Sequence, residues 1–152
     1  MAWPIVTATL EAHRAIEARV ADQWKTGGVP RSAIQYPGVL GLVDTNGAVI
    51  SAPPTNTPWL KLDIVNGDTF PATFGGPVGL NRVIVLIQLS VFVPRNQGQQ
   101  QINTLIGFAK AIFSRYQLSG LRCLESSVID LDGGGWLAKA ARTPCEFYEE
   151  VN

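Results

Sequence analysis

Four places in the chain carry residue types able to do chemistry. His13 is the only histidine, and Glu17 follows one helical turn later. General acid–base work needs a titratable partner held in a cleft, and a triad needs a nucleophile beside the imidazole. A single histidine in an amphipathic segment reads more simply as half of a surface pair, or as a satisfied core side chain. Cys123 and Cys145 are the only cysteines. No CxxC or Cys/His spacing accompanies them, so a zinc site is not expected. As nucleophiles they lack a second histidine-bearing partner. They read as free, half-buried thiols in a reducing compartment. Asp130 and Asp132 in "DLDGGG" are two carboxylates where a calcium loop requires more oxygen ligands at set spacing. "GGPVGLNR", residues 75–82, looks like a phosphate cradle, but it leads into a strand and lacks the Lys-Ser/Thr ending. The sequence therefore predicts no catalytic set, no metal and no cofactor.

The elements that would position these groups follow from periodicity. Residues 5–25 read as a helix, with Val6, Leu10, Ile16, Val20 and Trp24 near one face and Gly27-Gly28 as its stop. A Gly/Pro-rich connector follows, holding short strands near 34–36 and 47–51 and a tight turn at Asn46-Gly47. "WLKLDIVN", residues 59–66, alternates as a strand, with Leu60, Leu62 and Ile64 opposite Lys61 and Asp63. Arg82 to Val93 is the main strand. Val83, Val85, Ile87, Leu89, Val91 and Val93 line one face; Ile84, Leu86 and Phe92 line the other, broken by Gln88 and Ser90. Burying one such apolar side chain stabilises by roughly 1.5–3 kcal/mol, so exposing either face is costly. Pro94 ends the ladder.

Gly98 to Gln117 reads as a second helix. Its wide apolar stripe comprises Ile102, Leu105, Ile106, Ala109, Ile112, Phe113 and Tyr116, and Ser119-Gly120 closes it. Two strands follow, Arg122 to Leu131 and Leu137 to Tyr148, with "DLDGGGW" as the turn between them. The order gives an α+β fold: a mainly antiparallel or mixed sheet with two helices packed on one face, in one domain spanning 1–152. The other face of the sheet needs the connector, a second layer or a neighbouring copy of the chain.

Composition bounds the function. The 152 residues carry zero net charge, 46% hydrophobic residues and only 16% charged ones. A dedicated nucleic-acid binder shows a basic excess, which is missing here. The four tryptophans, Trp3, Trp24, Trp59 and Trp136, are scattered and read as core or interface anchors. Residues 51–118 hold five basic and two acidic side chains, and residues 119–152 hold three basic and six acidic. That split would let identical copies pack head to tail, though two solvated surfaces explain it equally well. The first twenty residues show no basic leader ahead of an apolar core, so no secretory signal is expected. The run from Val83 to Val93 is too short to span a bilayer.

Several stretches together resemble one family. They are the helix "AIEARVADQW", the strand opener "PWLKLDI", and "QLSVFVPRNQGQQQINTLIGFAKAIF". In the last, Leu89, Val91, Phe92, Val93, Pro94 and Gly98 lead into a helix ending at Ile112-Phe113. This pattern and order resemble the tail terminator proteins of long-tailed bacteriophages, over most of the chain except the 37–57 connector. The resemblance implies a non-enzymatic virion subunit, made in the host cytoplasm and placed at the tail or neck. Copies would form a ring, usually a homohexamer, which caps the tail tube and ends its elongation. The ring would also join the head-side connector or stopper protein, and DNA would pass through the lumen without being read. No membrane is involved, and a non-contractile tail is favoured by the resemblance alone. The rivals are another neck, tail-completion or head-closure subunit, and a small α+β enzyme or ligand-binding domain. Phe70 and Phe74, in the Gly/Pro-rich arm 67–81, are expected to make contacts between copies or rings. Arg115 and Arg122 are expected to meet acids of the 146–150 segment, such as Glu146 and Glu149, in the next copy.

Overall fold

The computed structural model describes residues 9–71, 79–118 and 120–151. In chain order the elements are α1 (Thr9–Gln23), β1 (Lys25–Thr26), β2 (Val29–Pro30), β3 (Ala33–Gln35), β4 (Leu42–Val43), β5 (Val49–Ile50), β6 (Trp59–Pro71) and β7 (Gly79–Pro94). A 3-10 turn at Arg95–Gln97 leads into α2 (Gly98–Phe113), followed by β8 (Gln117–Leu118), β9 (Leu121–Cys123), β10 (Ser127–Gly133) and β11 (Trp136–Val151). Nine of these strands form one mixed sheet in the order β5-β4-β3-β6-β7-β11-β9-β8, with β10 pairing the other half of β11 beside β9. Among the described residues, only β3 and β6 pair in parallel. This is the α+β architecture expected, with both helices on one face.

The core follows the period-2 pattern of β7. Val83, Val85, Ile87, Leu89, Val91 and Val93 are all buried, and they pack with Leu60 and Leu62 of β6 and with Ala141, Cys145 and Phe147 of β11. The helices lay Ala12, Ile16 and Val20, and Ile102, Ile106, Ala109, Ile112 and Phe113, onto that same face. The buried stripe of α1 runs at strict i+4 spacing from Ala12 to Trp24. Leu10 lies two residues off that line and is 60% exposed, which corrects its expected place in the stripe. The expected partner Val6 lies outside the described residues. Trp24 keeps its indole N–H satisfied by donating to Ser32 Oγ at 3.1 Å.

Arg19 ties the two helices together. Its Nε donates to the Ile112 carbonyl at 2.8 Å, and its guanidinium lies 3.3 Å from the centre of the Tyr116 ring. That carbonyl belongs to the last turn of α2, where backbone acceptors lack intrahelical partners and a cation is favourable. The helix ends at Phe113, before the expected Gln117, because Ser114 (ψ 119°) and Arg115 (φ 55°) leave helical geometry. Gly120, with φ 79°, serves the β8–β9 turn rather than the helix end. The predicted strand from Arg122 to Leu131 is two strands. They are separated at Leu124–Ser126, where the Ser126 hydroxyl bonds that of buried Thr143 at 2.6 Å.

The Asn46-Gly47 turn is present. Asp44 Oδ1 accepts from the Asn46 and Ala48 backbone N–H groups, and Gly47 sits at φ 85°. Among the described residues, no helix is long and apolar enough to cross a membrane.

Candidate assembly surface

The second face of the sheet is built from the alternate residues of the same strands, and the register aligns them in rows. Trp59 of β6 stands beside Phe92 of β7 and Ala138 of β11, with Leu131 of β10 beyond. The Trp59 and Phe92 rings stack with centroids 4.1 Å apart, and Trp136 meets Trp59 edge-on at 6.3 Å. Next come Lys61, Ser90, Ala140 and Ile129, then Asp63, Gln88, Arg142 and Ser127. Val65, Leu86 and Pro144 form a further, wholly apolar row.

Past a bulge in β6 between Asn66 and Thr69, Phe70 pairs with Arg82, which in turn pairs with Tyr148 of β11. Gly67 permits this bulge, since a Cβ there would come within 3.0 Å of the Ile84 carbonyl.

Neither α1 nor α2 lies on this side. Ile84, Leu86 and Phe92 are half-buried, and Val65 and Phe70 are 52% and 45% exposed. The face is therefore mixed: apolar rows flank a polar belt through Asp63, Gln88 and Arg142, and Ser90, Ala138 and Ala140 at its centre are already buried within the chain. Two buried nitrogens on it, Trp59 Nε1 and Arg142 Nε, have no hydrogen-bond partner. At the far edge of the sheet, the β3–β4 loop carries Leu40 at 95% exposure beside Val39, and β5 carries exposed Val49.

The expected interface residues divide by position. Phe70 belongs to the open face. Phe74 lies outside the described residues, as does most of the arm around it. Arg122 does meet Glu146, but within one chain, because β9 and β11 pair these two residues directly. Glu146 is held from both sides, by Arg82 Nε at 2.7 Å and Arg122 Nη1 at 3.7 Å. Arg115 faces Glu125 at 3.2 Å instead of the 146–150 segment. Glu149 accepts a hydrogen bond from the Thr9 hydroxyl at 2.9 Å, which anchors the start of α1. These partners are local, and the charge split along the sequence is partly neutralised inside the fold.

Among the described residues, the chemistry-bearing side chains other than the two cysteines do not converge. His13 bonds Asn66 at 3.3 Å across the α1–β6 gap. Asp132 accepts from the Gly134 N–H in the hairpin turn, and Asp130 lies 3.7 Å from Lys139. Among the described residues no three His, Cys, Asp or Glu side chains are grouped to hold a metal. Sequence reading missed one meeting: Cys123 and Cys145 are both buried, with their sulfurs 3.0 Å apart. Only the β9–β11 register brings them together, and neither position signals it alone. Hydrogen bonding to Cys123, then burial and the neighbouring thiol's charge, push the Cys145 thiol far above its ordinary range.

No family model matches the chain, and neither does any curated protein. Among solved structures, one whose name states no activity matches with a TM-score of 0.57 at 15% identity, covering 90% of this chain and 92% of its own. At that identity the likeness establishes a shared fold over nearly the whole chain, and no more.

Proposed function

We propose that this protein is a structural assembly subunit of the phage tail terminator kind. Its copies form a ring that caps a tail tube, stops its growth and offers a joint to the head-side connector. The observation that carries the reading is the open face of the sheet, where the row Val65, Leu86 and Pro144 and the side chain of Phe70 lie on the side away from both helices. Apolar surface on a broad sheet is stabilised by a partner, and closed rings of identical chains are a common way to supply one. The strand–Pro94–Gly98–helix corner adds the family resemblance. In such a subunit, shape and surface pairing carry the function, and DNA crosses the lumen without specific contacts.

The test is tube assembly. A tail tube subunit is polymerised with and without this protein, and the products are imaged. Tubes capped at one end and shortened as the protein is added support the proposal. Tubes of unaltered length with bare ends reject it. Binding to the portal side in place of the tube would move the protein to the head-closure role.

A further inference from the structure

We infer that Cys123 and Cys145 form a hydroperoxide-driven modification site, at which the two thiols become a disulfide within one chain. The inference is independent of the assembly reading. It rests on three observations. First, the two residues are direct cross-strand partners of β9 and β11, and their sulfurs stand 3.0 Å apart. That is about 1 Å beyond a disulfide bond, and paired neighbours of this kind have the Cα spacing that a disulfide spans. Second, both are nearly fully buried, at 4% and 2% exposure, so each thiol is closer to the other than to any thiol of another molecule. Third, a surface groove of about 310 Å³ adjoins the pair: Cys123 lines it together with Arg115, Arg122 and Glu125, and Cys145 is the cross-strand neighbour of Cys123. A molecule as small as hydrogen peroxide fits that groove.

The positions assign the roles. Cys123 is the one of the pair that lines the groove; its thiol releases a proton to water, and the sulfur attacks one oxygen of the peroxide. The O–O bond breaks, hydroxide leaves and takes up a proton, and Cys123 becomes a sulfenic acid. The Cys145 sulfur, which points its S–H at Cys123 and at the Thr143 carbonyl 3.4 Å away, then attacks the Cys123 sulfur. The S–O bond breaks, and the displaced hydroxide leaves as water with the Cys145 proton. In total two thiols are oxidised and one peroxide is reduced to two waters. The new bond closes a loop containing β10 and staples the short strand β9 to β11.

The experiment treats the folded, full-length protein with hydrogen peroxide and reads intact mass, then maps peptides without reduction. The expected product has lost two hydrogens, joins the Cys123 and Cys145 peptides within one chain, and returns to the starting mass with dithiothreitol. Its melting temperature is several degrees above that of the reduced protein, because the cross-link restricts the unfolded chain. In Cys145→Ser the sulfenic acid on Cys123 persists and is trapped by dimedone. Oxidation of either thiol to sulfinic acid without the joined peptide in the wild-type protein overturns the inference, as does joining between chains. So does a wild-type protein whose thiols both survive under peroxide that oxidises a free thiol in solution. These wild-type readings decide the matter even if the variant fails to fold.

Discussion

Trp59 lies flat against Phe92 on the side of the sheet away from the helices, their ring planes only 9° apart. The pair joins β6 to β7 at the end where the connector enters the sheet, and Trp136 closes it from β11. Stacked aromatics contribute about 0.5–1.5 kcal/mol beyond the area they bury. Replacing Phe92 with Ala is expected to destabilise the chain by about 2 kcal/mol, summing that term with partial burial of the ring. Chemical denaturation measures the loss, and the tryptophan fluorescence of the native state should change with it. An unchanged midpoint would show that the stack contributes nothing to the fold.

Leu86 separates stability from assembly. It is half-buried in the middle of the row formed with Val65 and Pro144. Lysine there can carry its charge to water while its stem covers the sheet, so Leu86→Lys should cost the free chain only about 1 kcal/mol. In an assembly the same charge would be trapped against a neighbour. The expected outcome is a normal thermal melt, with ring formation and tube capping abolished. Capping at the wild-type level by Leu86→Lys would remove this row from the interface.

Glu146 sits between Arg82 and Arg122 of its own chain. The two arginines are about half exposed, so water screens the attraction and the cluster is worth little in stability. Glu146→Gln should lower stability by no more than about 1 kcal/mol, an effect that shrinks as salt is raised. A loss several times larger, unchanged in salt, would mean the carboxylate has a role beyond this pairing.

Tyr36 gives a pH signature. Burial first, and then the negative charge of Glu17, raise its phenol above the ordinary value of 10.0. The unfolded chain then loses this proton before the folded one does. Tyr36 therefore favours folding below about pH 10, and that contribution is lost as pH rises through the raised folded value. Stability measured from pH 8 to 11 should fall less steeply in Tyr36→Phe than in the wild type. Parallel profiles would contradict the assignment.

What the sequence made legible was whatever depends on local period and turn chemistry. The alternation from Val83 to Val93 marked the core face, Asn46-Gly47 and Gly134 marked turns, and the stripe from Ile102 to Phe113 marked the helix facing the sheet. What escaped depends on pairing between distant segments. The two-residue strands β4 and β5 have too few residues to show a period, and the parallel match of Ile34 to Leu60 crosses the whole connector. Arg122 and Glu146 were legible as opposite charges but not as neighbours in one chain, because register decides that. The same register hides the meeting of Cys123 and Cys145. The β7 face opposite the core was expected to be greasy, yet the rows brought by β6 and β11 place Asp63 and Arg142 beside Gln88 and make it mixed.

The account is tested most directly by a cryo-electron microscopy reconstruction of tail tubes capped by this protein, resolved well enough to trace the sheet. It predicts a ring of identical chains in which atoms of a neighbouring copy lie over Val65, Leu86 and Pro144. A tube end without this protein, or a ring whose open sheet face looks onto solvent, would contradict it.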